Sequence, residues 1–238
     1  MRVRACHPGG VDGPEVVEEG LAPDVVLLDL DGTLSEAGPA IVAAVALALE
    51  HVGADPLDER ALRAFVGPPL EDSFAALPRM DARLVQEAVA VYRASYDLLG
   101  SPLYDGVVDA LRALRAAGLR LALATSKPQE FAEQVVTAHG LGPVLEVVVG
   151  SDRPTGRRTK GDVVQAALAR MRPCRAPVMV GDREHDVQGA AAHGVPCIGV
   201  LWGYGDAAEL EAAGAVALAR TPAELVTLLT GPERTWSR

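Results

Sequence analysis

Four aliphatic residues, Val25-Val26-Leu27-Leu28, run without a spacer into Asp29-Leu30-Asp31-Gly32-Thr33. This junction constrains the fold more than any other stretch of the chain. A short, wholly apolar run reads as a strand buried on both faces, the habit of a parallel sheet covered by helices. In such a sheet, ligands bind beyond the carboxyl ends of the strands. Two carboxylates placed two residues apart at that end would fall on one side of a regular strand. They repel unless a cation or a proton separates them. The chemistry implied is a Mg²⁺-assisted reaction with one Asp as nucleophile and the other as acid/base. The plainer alternative is a strand that ends in an acidic turn.

The rest of the chain sorts into two patterns. Strands are expected at 24–30, 119–124, 146–149 and 177–180, then at 197–200 with a short last one at 215–218. Helices are expected at 107–117, after Pro128 and at 161–170. Strands alternating with helices indicate an α/β fold with a Rossmann-like parallel sheet. Residues 35–102 instead read as helices only. Pro39–His51 is Ala-rich. Asp55-Pro56 is expected to cap a short helix that reaches Phe65. Asp81–Leu99 places Leu84, Val85, Ala88, Val91, Tyr92 and Leu98 at helical spacing. The expected organisation is therefore a flexible extension at 1–23, an α/β core from 24–34 and 103–230, and an inserted all-α cap at 35–102 over the first strand's carboxyl end.

Composition excludes some partners. A net charge of −10 argues against a nucleic acid polymer, which needs a basic face, but leaves room for a small phosphorylated metabolite. Cys6, Cys174 and Cys197 form no metal-binding pattern and read as free thiols of a reducing cytoplasm. Residues 1–23 lack the apolar core of a secretory signal, and the apolar stretch around Ile41–Leu49 is too short to span a membrane. Oligomeric state is open between monomer and homodimer. Of the 22 basic residues only Lys127 and Lys160 are lysine, and both stand beside motifs.

Three further stations follow the opening motif, each near the end of an apolar strand. Thr125-Ser126 precedes a Pro-initiated helix, where a hydroxyl and free N–H groups can hold a phosphate. The alternative is a plain N-cap. Lys160 follows a basic loop, and its compact ammonium suits contact with both a phosphate and a carboxylate. Gly181-Asp182-Arg183-Glu184-His185-Asp186 ends another apolar run and sets two carboxylates four residues apart. Mg²⁺ favours few carboxylates plus water and substrate phosphate, a demand that Asp182 with Asp29 would meet. His185 has no second His at ligand spacing and reads as an exposed helix residue.

Taken together and in this order, the four motifs resemble the haloacid dehalogenase superfamily over about residues 24–228. The resemblance implies roles for each residue. Asp29 would be the nucleophile that forms an aspartyl-phosphate. Asp31 would protonate the leaving alcohol, then activate water, and lend its backbone carbonyl to Mg²⁺. Thr125, with Ser126 beside it, and Lys160 would hold the phosphoryl oxygens. Asp182 would be the remaining direct protein ligand to the metal, and Asp186 would act in support, through water or by orienting Lys160. The insert resembles a C1-type cap. Phe65–Phe74, Thr125–Pro128, Gly181–Asp186 and Gly199–Gly205 are similar to phosphoglycolate phosphatase-like and 5′-nucleotidase-like members.

Departures from that group lie outside the catalytic set: Ser35-Glu36-Ala37 after the first motif, Ser126 where Asn is usual, and Asp105 where Pro is usual. The implied activity is a Mg²⁺-dependent phosphatase of small phosphate monoesters. A phosphohexomutase of the same fold and a catalytically silent phosphoester-binding protein are the rivals. The second carboxylate, Asp31, argues against a dehalogenase, and an insert without lysine argues against phosphonate cleavage through a Schiff base. Arg63, Glu71, Tyr104, Arg153, Arg157 and Arg158 are candidates for substrate selection by position.

Overall fold

The computed structural model describes residues 22–231, with the backbone alone at 97–99. Of the extension expected at 1–23, residues 1–21 lie outside the described residues, as do Cys6 and the side chain of Leu98. In chain order the elements are β1 (Val25–Leu28), α1 (Gly38–His51), α2 (Glu59–Arg63), α3 (Leu70–Ala75), α4 (Ala82–Leu99), α5 (Val107–Ala116), β2 (Arg120–Pro128) and α6 (Gln129–Ala138). There follow β3 (Val147–Ser151), α7 (Lys160–Arg170), β4 (Pro177–Gly181), α8 (Glu184–Ala191), β5 (Cys197–Val200), α9 (Ala207–Ala213), β6 (Ala217–Ala219) and α10 (Pro222–Thr230).

The strands form one parallel sheet in the order β3-β2-β1-β4-β5-β6. β1 is central, paired on its two edges with β2 and β4, and helices cover both of its faces, which is why its four residues are all aliphatic. Alternation divides them. Val26 and Leu28 pack with Leu121, Leu123, Val178 and Val180 under α5, α6 and α10. Val25 and Leu27 pack with Ala122, Ala124 and Met179 under α7, α8 and α9. A third core belongs to the insert, where α1 to α4 bury Ile41, Val45, Phe65, Phe74 and Val85. The fold is thus a parallel sheet flanked by helices with an inserted helical cap. No helix of the described residues is long and apolar enough to cross a membrane.

Several local expectations change. α2 is capped by Asp58, whose carboxylate accepts the Ala61 N–H, while Asp55 faces solvent against Arg79. The helix α3 follows Pro69 directly, within a stretch that reads as a loop. β2 runs on through Thr125-Ser126-Lys127 to Pro128, with an irregularity where it pairs with β3. The hydroxyls of Thr125 and Ser126 therefore project from extended chain rather than from a helix terminus.

β1 itself stops at Leu28. The Leu30 carbonyl accepts N–H bonds from Thr33, Leu34 and Ser35 and closes the chain into a turn. Gly32 takes φ +89° there, a conformation open to glycine at little cost. Asp29 and Asp31 thus lie beyond the regular strand, and alternation does not govern where their side chains go.

Candidate active site

At the carboxyl end of the sheet the structure gathers Asp29 after β1, Thr125 in β2, Lys160 at the head of α7, Asp182 after β4 and Asp186 in the first turn of α8. All five are buried. The Asp29 N–H donates to Val180 O at 3.0 Å, which fixes the nucleophile candidate against β4. Lys160 is set by a capping box: the Thr159 hydroxyl accepts the Asp162 N–H while the Asp162 carboxylate accepts the Thr159 N–H. Its Nζ lies 2.7 Å from Asp29 Oδ1 and 2.7 Å from Asp186 Oδ1, and donates to Ala124 O at 3.0 Å. Both carboxylate contacts are ionic and depart from hydrogen-bond geometry, which leaves those two oxygens without a hydrogen bond. Burial works against the Lys160 charge, but Asp186 and Asp29 more than offset it and hold the ammonium above its ordinary pKa.

One ammonium faces three buried carboxylates here. Oxygens of Asp29, Asp182 and Asp186 lie within 4.8 Å of one another. Burial raises the pKa of Asp29, with Lys160 opposing and Asp186 adding to the rise. Burial also holds Asp182 well above the carboxylate range, reinforced by Asp186 and Asp29. Asp182 is anchored by the Tyr204 N–H at 2.9 Å and by the Thr33 hydroxyl at 3.4 Å. Three buried carboxylates against one ammonium leave excess negative charge on hard oxygen donors, which fits a divalent cation such as Mg²⁺.

Asp31 does not join this cluster. Its carboxylate turns to Lys127, whose Nζ lies 2.9 and 3.2 Å from the two oxygens, and Oδ1 also accepts from Ser35 Oγ at 3.2 Å. The carboxylates of the two motif aspartates therefore diverge, one to each of the chain's two lysines. The reason is the turn after Leu28, which releases Asp31 from strand alternation. Sequence reasoning noted Lys127 for its rarity and gave it no role.

The cleft above these groups measures about 880 Å³ including its open mouth. Asp29, Asp31, Thr125, Ser126 and Lys127 line its core side. The Thr125 hydroxyl also accepts the Lys127 N–H at 3.2 Å. Of the selectivity candidates, Glu71, Arg153 and Arg158 reach the cleft. Arg63, Tyr104 and Arg157 are not among its lining residues: Arg63 pairs with Glu59 in solvent, and Arg157 donates to Gly150 O. Arg153 spans from the core loop to Glu71 and Asp72 of the insert at 3.4 and 3.3 Å, and Arg183 donates to Val66 O at 2.9 Å. The insert is thus docked over the aspartates by ionic contacts from Arg153 and a backbone contact from Arg183.

Comparison with known proteins matches this arrangement. The family model described as haloacid dehalogenase-like hydrolase covers residues 26–200. The chain is 42% identical over 193 residues to the tyrosine-protein kinase PtkA of Mycobacterium tuberculosis, over 79% of this chain and 65% of that protein. It therefore spans just under two thirds of the length of that relative. It is 35% identical over 191 residues to a 5′-nucleotidase of Pseudomonas aeruginosa, covering 79% of this chain and 86% of that one. A crystal structure of a predicted phosphatase from Clostridium acetobutylicum superposes with a TM-score of 0.80 at 33% identity, over 87% of this chain and 98% of the other. With its sheet order, its inserted helices and its buried aspartate cluster, this chain belongs to the haloacid dehalogenase-like hydrolases.

Proposed function

We propose that the chain is a Mg²⁺-dependent phosphatase of small phosphate monoesters that works through an aspartyl-phosphate. The observation that carries this reading is Asp29, buried at the floor of the cleft with Lys160 at 2.7 Å and two further carboxylates beside it. A carboxylate can approach an anionic phosphate only where positive charge screens the repulsion. What Asp29, Asp182 and the Asp31 carbonyl would gain from bound Mg²⁺ is neutralisation of the phosphoryl oxygens. Lys160 and the Thr125 hydroxyl, with Ser126 at its side, hold those oxygens in place.

An Asp29 oxygen attacks phosphorus, the ester P–O bond breaks, and the leaving alkoxide takes the Asp31 proton. Asp31, now a carboxylate, removes a proton from water as that water attacks phosphorus. The Asp29–phosphorus bond breaks, inorganic phosphate leaves and Asp31 is again protonated. Asp186 acts through Lys160. Residues 24–34 and 103–230 form the catalytic core, and 35–102 form the cap that selects the ester. The free thiols Cys174 and Cys197 and the acidic surface support a cytoplasmic enzyme of small metabolites.

The test is Mg²⁺-dependent phosphate release by the wild type and by Asp29→Asn. Unchanged release by the variant ends the reading. The identity to PtkA favours a second reading, in which the phosphoryl group passes to a tyrosine hydroxyl instead of water. Incubation with ATP and a tyrosine peptide decides: peptide labelling in place of phosphate release supports transfer. The mutase rival predicts conversion of β-glucose 1-phosphate to glucose 6-phosphate without net phosphate. The silent-binder rival predicts binding of an ester with no hydrolysis across a broad panel.

A further inference from the structure

The cleft over Asp29 is built from aromatic rings in a chain that holds few. The sequence has three Phe, four Tyr and two Trp in 238 residues. Four of these nine, Phe65, Tyr92, Tyr96 and Phe131, line this cleft, with Ile41 and Leu70 between them. Phe65 and Tyr96 are buried in the insert's own core, and Tyr92 packs against it. Phe131 is different. It stands in the first turn of α6, half-buried, and among the described residues it belongs to none of the three hydrophobic cores. Its ring meets the Arg93 guanidinium, 5.5 Å from the centroid. A phenyl ring that faces the cleft outside any core keeps part of its apolar surface unburied by folding. A ligand that covers the ring would bury that surface.

We propose that the cleft takes a phosphate monoester whose leaving group carries a planar aromatic ring, seated between Phe131 of the core and the Tyr92 and Phe65 side of the insert. This rests on the phosphatase reading of Asp29 and narrows it. A two-carbon acid phosphate would leave the partly exposed Phe131 ring uncovered. Its carboxylate would also need a cation, and of the three arginines that line the cleft Arg93 and Arg153 are already paired with Glu71 at 3.2 and 3.4 Å, which leaves the exposed Arg158. An aromatic ring satisfies the walls as they stand, by stacking and by apolar burial. The ring's source is a nucleobase or a phenyl group, and two substrate pairs separate them.

The first pair is a nucleoside 5′-monophosphate and ribose 5-phosphate, which share the leaving primary alcohol and differ by the base. The second is benzyl phosphate and cyclohexylmethyl phosphate, alike in bulk and differing in planarity. The expected result is a kcat/KM higher for the aromatic member by roughly tenfold in at least one pair. Preference confined to the first pair identifies a nucleobase, and preference confined to the second a phenyl ring. Phe131→Ala should fold, since Phe131 fills no core, and should bring the preferred ratio close to one; Phe131→Leu is the second variant should that protein not fold. Equal kcat/KM in both pairs, with hydrolysis still dependent on Asp29, overturns the ring proposal and leaves the phosphatase reading standing. A ratio that survives in the folded Phe131 variant also overturns it. No Asp29-dependent hydrolysis of any of the four esters overturns both.

Discussion

Lys127 Nζ lies 2.9 Å from one carboxylate oxygen of Asp31 and 3.0 Å from the Tyr96 hydroxyl. Lys127 comes from β2 of the core and Tyr96 from α4 of the insert, so one ammonium ties the proposed acid/base to the cap. Burial opposes the charge on Lys127, but Asp31 and Tyr96 more than restore it, and its pKa stands above the ordinary value. The ammonium also sits over the Tyr96 ring, 4.4 Å from its centroid. Lys127→Met should leave Asp31 unsupported and lower kcat on alkyl phosphates by about 100-fold, the lower end of what general acid/base catalysis contributes. Loss on p-nitrophenyl phosphate should be much smaller, because that leaving group departs without a proton. Lys127→Arg should recover part of the activity. An equal loss on both substrates would place the effect on the water-activating step they share, and an equal loss with a lowered thermal melt would assign Lys127 to folding.

Asp29→Asn removes the attacking oxygen while keeping the side-chain shape. Turnover should fall by at least about 10³-fold, as for other nucleophile deletions. The fold should survive, because Asp186, also 2.7 Å from Lys160, continues to neutralise that ammonium. Phosphate release and a thermal melt on the same sample check both halves of the prediction.

Much of this site can be read in the sequence because three of its four stations directly follow a short apolar run, while Lys160, after a basic loop, stands out as one of two lysines. Cys197–Val200 is found as a strand at its expected bounds, and α4 begins after Asp81, whose carboxylate accepts the Leu84 N–H. Local signals failed where two readings competed. Asp55 and Asp58 flank the same Pro56, and only Asp58 caps a helix. α3 has six residues and buries one, Phe74, too little for a periodic pattern. The extension of β2 depends on pairing with β3, and the Lys127–Asp31 contact joins residues 96 apart in the chain. Strand order creates that contact, and nothing within either segment encodes it. The scarcity of lysine was the one available signal, and it points to both ion pairs.

The raised pKa values of Asp29 and Asp182 set a direction for pH. Both folded values lie above the ordinary 3.8, so the metal-free fold holds these protons more tightly than the unfolded chain. The stability they contribute is complete below the ordinary value and is lost as pH rises through the raised ones. Mg²⁺ requires the ionised carboxylates. The Tm increase on adding Mg²⁺ should therefore grow from about pH 5 to about pH 8. Asp182→Asn should flatten the metal-free decline and remove most of the Mg²⁺ response. Differential scanning fluorimetry across pH measures both, and a Mg²⁺ shift largest in acid would contradict the assignment.

Gly203 offers a separation of the metal site from the fold. A Cβ there would collide with the Gly32 carbonyl oxygen and the Asp182 side chain, while the next residue, Tyr204, donates its N–H to Asp182. Gly203→Ala should push Asp182 out of place and weaken Mg²⁺ binding by roughly tenfold or more, with about 1–3 kcal/mol of stability lost to the overlap. Gly214 is the control. It ends α9 at φ +98° with open space around its Cα, so Gly214→Ala should cost about 1–2 kcal/mol of backbone strain and leave Mg²⁺ affinity alone. Isothermal titration with Mg²⁺ and urea denaturation on both variants make the comparison. Equal Mg²⁺ affinity in the two would show that the loop holding Tyr204 does not position Asp182.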